Sequence, residues 1–230
     1  MVYAPSPMND APSLAGQPGL RRTALIVAAG KGLRAGGDIP KQYALHQGKP
    51  LLRHSVEAFA RWPRECAILV VIGEGQQAQA EAALAGLADV SFVTGGAERS
   101  DSVRAGLLAI AAQGGSDRVF IHDAARPHLA SAVLDRLDWA LDMQPGAVPV
   151  LPVVDSLARG DGGLMQAAVD RAGLWRIQTP QAFHFDAILA AHLAWPQGAL
   201  ATDDSQIARA AGLDVALAEG DEALKKITFA

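Results

Sequence analysis

With 230 residues, half of them apolar, the chain suffices for one large α/β domain with a sizeable core, or for a domain with an appendage. A formal net charge of −4 argues against a general nucleic-acid binder, because affinity for a polyanion needs a basic surface; the cations have to act locally. No apolar run approaches the roughly 20 residues that span a bilayer, which excludes a transmembrane helix. The single cysteine, Cys66, cannot close an internal disulfide and reads as a small buried hydrophobe in a reducing, cytoplasmic setting.

Residues 1–21, rich in Pro, Gly, Ser and Ala, read as a disordered leader in which Met8 is an alternative start. Arg21-Arg22 ahead of an apolar run faintly resembles a twin-arginine export signal, but about seven apolar residues are too few for its core. Residues 22–230 then read as one domain. Leu25, Ile26 and Val27 predict a strand that feeds a glycine-rich loop carrying Lys31, Arg34 and Lys41. Apolar positions 51, 52, 56 and 59 predict a helix over 51–60, stopped by Pro63, and 67–72 is a continuous apolar strand of the kind covered on both faces. Helix 76–87, strand 90–93, helix 102–113, strand 118–121 and helix 131–143 follow. This alternation predicts right-handed βαβ units and an open, doubly wound, mostly parallel Rossmann-like sheet, with ligands at the carboxyl ends of its strands.

At Pro149 the rhythm breaks. Three β-like pieces, 150–158, 164–169 and 174–178, separated by turn-rich segments, predict a projecting β-arm over about 150–181, and a second copy of the chain is the simplest cover for it. Helices resume over 186–193 and 202–211, the latter starting at Thr202-Asp203-Asp204, and 215–217 and 226–228 read as closing strands.

Gly30-x-Gly32-x-x-Ala35 after a strand satisfies the dinucleotide fingerprint, a weak signal when it stands alone. An NAD site wants an acidic residue about 20 positions further on; Glu74 lies more than 40 away, and no Gly-Lys-Ser/Thr of a Walker loop occurs. Arg34 and Lys41 suit a nucleoside triphosphate better than a dinucleotide; the bland reading is a tight turn with solvated cations. Asp123, ending a strand in His122-Asp123-Ala124-Ala125-Arg126-Pro127, emerges on the same sheet edge, where an aspartate can hold Mg²⁺ or a sugar hydroxyl, or merely cap the next helix. Gly95–Ser102 (GGAERSDS) follows another strand and either lines a base or ribose pocket or is an ordinary capped loop. His122 reads as a packed strand-end residue, and the six histidines show no metal-ligand spacing.

Together AAGKGLR with PKQY, GGAERSDSV, HDAARP, VDRAGLW with TPQ, TDD and the closing KKIT resemble the 2-C-methyl-D-erythritol 4-phosphate cytidylyltransferase family over nearly all of residues 24–228. The resemblance implies transfer of CMP from CTP to methylerythritol phosphate with loss of pyrophosphate, in non-mevalonate isoprenoid synthesis. It implies that Arg34 and Lys41 stabilise charge at the α-phosphate and leaving pyrophosphate, with Mg²⁺ held mainly by the CTP phosphates. Arg171 and Lys226 are implied to hold the acceptor phosphate, Arg171 reaching over from the other subunit of a homodimer. Ala28, Ala29, Gly30, Gly96 and Ser102 match the cytidine and triphosphate pocket; Asp123, Ala124, Arg126, Ser156 and Thr179 match positions around the acceptor and the pocket rim. The acceptor is a phosphate monoester, ionised near neutrality, so catalysis reduces to positioning and charge neutralisation without a general base.

Three positions depart from the family pattern: Ser156 where threonine is usual, Ala97 where aspartate is common, and Leu224 where a polar residue precedes the lysine pair. Family members normally continue past residue 230 into a helix, some of them fused to a cyclodiphosphate synthase. The competing readings are a cytidylyltransferase for another polyol phosphate such as ribitol 5-phosphate, and a non-catalytic nucleotide-binding remnant. The presence of Arg34, Lys41, Arg171 and Lys226 together argues against the remnant.

Overall fold

The structure, a computed structural model, describes residues 19–30, 39–196 and 198–227. Its strands are β1 (Arg22–Ala28), β2 (Leu45–His46), β3 (Lys49–Pro50), β4 (Ala67–Ile72), β5 (Val90–Thr94), β6 (Arg118–Asp123), β7 (Gly146–Pro152), β8 (Leu157–Asp161), β9 (Leu164–Val169), β10 (Trp175–Ile177), β11 (Gln181–His184) and β12 (Val215–Glu219). The helices are α1 (Leu51–Ala60), α2 (Gln77–Ala83), α3 (Arg99–Ala112), α4 (Ser131–Ala140), α5 (Phe185–Ala194) and α6 (Asp204–Ala210), with a 3-10 turn at Lys41–Tyr43.

Eight strands form one sheet in the order β10-β7-β11-β6-β1-β4-β5, with β12 also paired to β7. The pairs β1–β4, β1–β6, β4–β5 and β12–β7 are parallel, while β10 and β11 run antiparallel to their neighbours. The expected doubly wound, mostly parallel sheet is therefore present. Alternation along β1 divides the core between its faces. Ala24, Ile26 and Ala28 join Leu52, Val56, Phe59 and Leu134 on one side, and Leu25 joins Val71, Val103, Leu107, Ile121 and Ile188 on the other. Helix α3 lies so close to β1 that a Cβ on Gly106 would stand 2.4 Å from the Leu25 side chain, so only glycine fits there.

The chain leaves β1 for β4 and β5, then crosses to β6 on the other side, so the order of strands reverses between β1 and β6. That crevice, at the carboxyl ends of the parallel strands, is where such sheets bind ligands. A buried ion-pair network holds the opposite end. Arg22 donates two bonds of 2.9 Å to the Asp138 carboxylate, and Arg118 donates to it at 2.8 Å.

The β-arm is shorter than the sequence suggests. β7 starts at Gly146 and runs through Pro149 inside the main sheet, and β10 also lies in that sheet; of the expected arm, the β8–β9 hairpin alone stands apart as a two-stranded sheet. The predicted strand 150–158 is thus the end of β7 and the start of β8, with 153–156 between them. β10 and β11 lie along the same edge of β7, broken at Gln178–Pro180 around a cis Thr179-Pro180 bond. The hairpin at 45–50 and strand β11 have no counterpart in the sequence reading. Helix 76–87 shortens to Gln77–Ala83 because Leu84 already leaves helical geometry. The N-cap of α6 is Asp203, whose carboxylate accepts from the Gln206 amide at 2.9 Å, rather than Thr202. Lys226 and Ile227 form no strand; Thr228 lies outside the described residues, as do 1–18 of the expected leader.

Candidate functional site

The loop leaving β1 is described only to Gly30; Lys31–Asp38, and with it Arg34, lies outside the described residues. Ala28 is buried, and Ala29 and Gly30 continue to the surface at the carboxyl edge. The segment that follows is tied back to this point. Gln42 donates from Nε2 to the Gly30 carbonyl and to Gln76 Oε1, both at 3.0 Å, and the Tyr43 hydroxyl donates to the same Gln76 oxygen at 3.1 Å. Burial pushes the Tyr43 phenol up to about 12, so it stays a donor. This anchoring places Lys41, on the same 3-10 turn, beside the start of the glycine loop.

The next edge loop follows β5. Ser102 Oγ accepts from the Gly96 amide at 3.2 Å and donates to the Glu98 carbonyl at 3.1 Å, so this hydroxyl folds the loop onto the start of α3. A Cβ on Gly95 would stand 2.7 Å from that of Ala29, so glycine is what lets the two edge loops touch.

Asp123 ends β6 at the reversal point and is the centre of a charged cluster. Arg99 Nε donates to its Oδ1 at 3.1 Å and Lys226 Nζ to its Oδ2 at 2.9 Å, while Arg99 Nη2 donates to Asp204 Oδ2 at 2.8 Å. Burial by itself would raise the Asp123 pKa, but Arg99 and Lys226 outweigh it and hold the carboxyl well below the usual range. Asp204 is lowered in the same way, against its own burial and chiefly by Arg99. Burial likewise opposes the Arg99 charge, and the two carboxylates more than restore it.

The backbone around Asp123 is fixed by Thr179, which sits in the break between β10 and β11. Its Oγ1 accepts the Asp123 amide at 3.1 Å and bonds His122 Nδ1 at 3.2 Å; His122 Nε2 lies 3.1 Å from the Arg126 carbonyl. These partners settle the tautomer: Nε2 carries the proton and donates to Arg126, while Nδ1 accepts from Thr179. Burial pushes the His122 pKa down to about 4. Thr179 is buried at 4 % exposure, beneath Asp123 rather than on a pocket rim.

The loop after Asp123 grips the closing segment. Arg126 donates to the Leu224 carbonyl at 2.9 Å, and the Ile227 amide donates to the Ala125 carbonyl at 2.8 Å. Ala124 is buried, its amide bonded to the Val27 carbonyl and its own carbonyl to Ser55 Oγ. His46 and His128, with facing Nε2 atoms 3.0 Å apart, connect the 45–50 hairpin to this loop, and His54 packs beside them.

Ser156 and Arg171 are both exposed, Ser156 between β7 and β8 and Arg171 in the turn between β9 and β10. None of the hydrogen bonds or ion pairs of the Asp123 cluster reaches Arg171 within one chain. Both Asp123 oxygens carry cationic donors, and among the described residues no three His, Cys, Asp or Glu gather to hold a metal. These residues do not fit a protein-built Mg²⁺ cage.

Sequence reasoning missed Arg99 and Asp204 as site members, although both stand in quoted motifs, GGAERSDS and TDD. The available signal was a charged residue of each sign at the start of a helix. At Asp204 that signal reads as a helix start, and within Gly95–Ser102 the sequence reading leaves a base or ribose pocket and a capped loop both open without singling out Arg99.

A charged cluster at the reversal point of a doubly wound sheet, beside the start of a glycine-rich loop, marks a candidate ligand site in an α/β protein of the Rossmann-like class. The profile of the 2-C-methyl-D-erythritol 4-phosphate cytidylyltransferase family matches residues 23–230, and the chain belongs to that family. It is 50 % identical over 208 residues to the cytidylyltransferase of that name from Cereibacter sphaeroides, covering 90 % of this chain and 91 % of the relative. It is 53 % identical over 223 residues to the bifunctional enzyme IspD/IspF of Novosphingobium aromaticivorans, covering 97 % of this chain and 56 % of that protein. The chain thus spans about half the length of the bifunctional relatives it matches. The crystal structure of the Thermus thermophilus cytidylyltransferase is similar at 33 % identity and a TM-score of 0.75, over 91 % of this chain and 93 % of that one.

Proposed function

We propose that the chain transfers CMP from CTP to 2-C-methyl-D-erythritol 4-phosphate. An oxygen of the acceptor phosphate attacks the α-phosphorus, the bond to the β-phosphate breaks, and pyrophosphate leaves with the electron pair. The observation that carries this reading is the convergence, at one sheet edge, of family motifs far apart in sequence: Ala28–Gly30, Gly96–Ser102, Asp123–Arg126 and Lys226.

The acceptor's second pKa near 6 leaves it largely dianionic at neutral pH, so no group needs to take a proton. His122 fits that chemistry, because both its nitrogens are engaged and it is neutral, with no free base to offer. Lys41 and Arg34 act on the α-phosphate and departing pyrophosphate, the charge that grows during transfer. Lys226, released from Asp123, and Arg171 take the acceptor phosphate. Mg²⁺ supplies charge neutralisation on the triphosphate, whose own oxygens hold it, in keeping with the magnesium ion's preference for phosphate and water over protein cages.

The acting unit is a homodimer in this reading, with the arm of one copy bringing Arg171 to the site of the other. Its support is the β8–β9 hairpin, a two-stranded sheet with Leu164 and Met165 exposed, which is marginal as an isolated element. The lone cysteine, free and partly buried, fits a reducing, cytoplasmic compartment. Pyrophosphate release with CTP and a panel of polyol phosphates, ribitol 5-phosphate included, tests the assignment. Methylerythritol phosphate is expected to be the preferred acceptor; no release with it overturns the reading.

A further inference from the structure

We infer that Arg99 and Asp204 are positioning residues for the acceptor phosphate, acting through Asp123 on Lys226. This rests on the cytidylyltransferase reading, in which Lys226 serves that phosphate. The side chains form a chain of contacts whose ends are its most buried and its most exposed members: Asp204 at 0 % exposure, Arg99 at 26 %, Asp123 at 12 % and Lys226 at 43 %. Asp204 cannot touch a substrate. It stands at the start of α6, with His192 Nε2 3.3 Å from its Oδ1 and both side chains wholly buried.

A guanidinium is needed at position 99 because one rigid fork bridges two carboxylates, Nε to Asp123 and Nη2 to Asp204. With Asp204 gripping one prong, the other fixes Asp123 Oδ1 and so aims Oδ2 at Lys226. The ion pairs join two carboxylates to two cations, and Arg126 adds a third positive charge that acts on Asp123. When Lys226 moves to a phosphate, Arg99 stays on Asp123, and the carboxylate is never left buried without a cation. Lys226 can therefore exchange between a fixed resting partner and an incoming anion. A static ion pair under the sheet would have no reason to end on its most exposed member, at the ligand edge.

The test is kinetic and structural, on the full chain. Asp204→Asn keeps the shape and removes the charge, and Arg99→Lys keeps the charge and removes the fork. Each is expected to raise the KM for methylerythritol phosphate about 10-fold or more while the KM for CTP stays within about 2-fold. Adding Lys226→Ala to Asp204→Asn is expected to cost nothing further in acceptor KM beyond Lys226→Ala alone, because Asp204 acts through that lysine. Independently of any substrate, the Arg99 Nε–H proton, identified by its loss in Arg99→Lys, is expected to exchange slowly with D₂O in the wild type and fast in Asp204→Asn. Equal effects on both KM values, additivity with Lys226→Ala, or unchanged Nε–H exchange overturns the inference. If the wild type releases no pyrophosphate, the functional reading fails, and the exchange measurement still decides whether Asp204 holds Arg99.

Discussion

His122 is fully buried, neutral and bonded at both ring nitrogens, and its stability contribution can be read from acid titration. Its pKa falls from 6.5 to about 4 on folding because burial disfavours the imidazolium, despite the neighbouring Asp123 charge. Between those two values the unfolded chain binds a proton that the folded chain does not, so stability rises with pH across that window and is lost as pH falls through it. A tenfold change in proton affinity corresponds to about 1.4 kcal/mol, so this one residue removes about 3 kcal/mol between pH 6.5 and 4. The depressed carboxyls Glu57, Asp123 and Asp204 have the opposite dependence on charge but the same direction. Their contribution is full above the unfolded carboxylate range and lost only as pH falls towards their folded values, below the upper part of the histidine window. His128, lowered by burial and by His46 and His54, adds to the slope within it. The residue-specific part is isolated by His122→Gln, whose amide can still donate to the Arg126 carbonyl. Urea unfolding at half-unit steps from pH 7 to 4.5 should show the wild type losing stability more steeply than the variant, by about 1 kcal/mol per pH unit below 6. Parallel slopes would refute the buried neutral histidine.

Lys41→Ala should lower the turnover rate by at least about 100-fold with the KM for CTP changed only a few-fold, as expected for a group that acts on charge developing in the transition state; unchanged turnover in a pyrophosphate-release assay removes Lys41 from that role. Arg34→Ala and Arg171→Ala proteins, each inactive alone, should recover activity when mixed and re-equilibrated, because a hybrid dimer contains one site with both arginines; absence of recovery sinks the exchange of arms. Asp138→Ala should cost about 3–5 kcal/mol of unfolding free energy in urea, because it leaves Arg22 and Arg118 buried without their shared carboxylate, while kcat per folded molecule stays unchanged.

The parts of the fold that were legible in the sequence are those where local pattern and tertiary demand agree. Helix Leu51–Ala60 and strand Ala67–Ile72 coincide with their predicted limits, since the helix buries one stripe and the strand both faces. Pro149 misled the reading because proline removes only a donor. Its carbonyl still accepts the Gln178 amide at 2.8 Å, and β7 continues through it with β12 alongside. In the site, Asp123 was legible from its place at a strand end, whereas the pairing of Arg99 with Asp204 was not. Those residues are 105 positions apart and meet only once α3 and α6 lie on the same face of the sheet. Two charges at helix starts are indistinguishable by spacing alone from two solvated caps.

Leu224 shows how a departure from a family pattern can be absorbed. A polar residue there would offer a side chain to the neighbouring loop; Leu224 instead buries its own side chain completely and offers its carbonyl. That carbonyl accepts from Arg126 at 2.9 Å and from Gln178 at 3.4 Å, and Gln178 also bonds the Asp221 carbonyl at 2.8 Å. The closing segment is therefore held at 221, 224 and 227 by backbone groups and apolar burial, and among the described residues its hydrogen bond to the Asp123 carboxylate comes from the Lys226 side chain. Backbone anchoring on both sides fixes where the lysine starts, and its side chain, 43 % exposed, ends on Asp123 at 2.9 Å. In the proposed acceptor role, in which Lys226 leaves Asp123 for a phosphate, a fixed backbone base limits the entropy lost on binding.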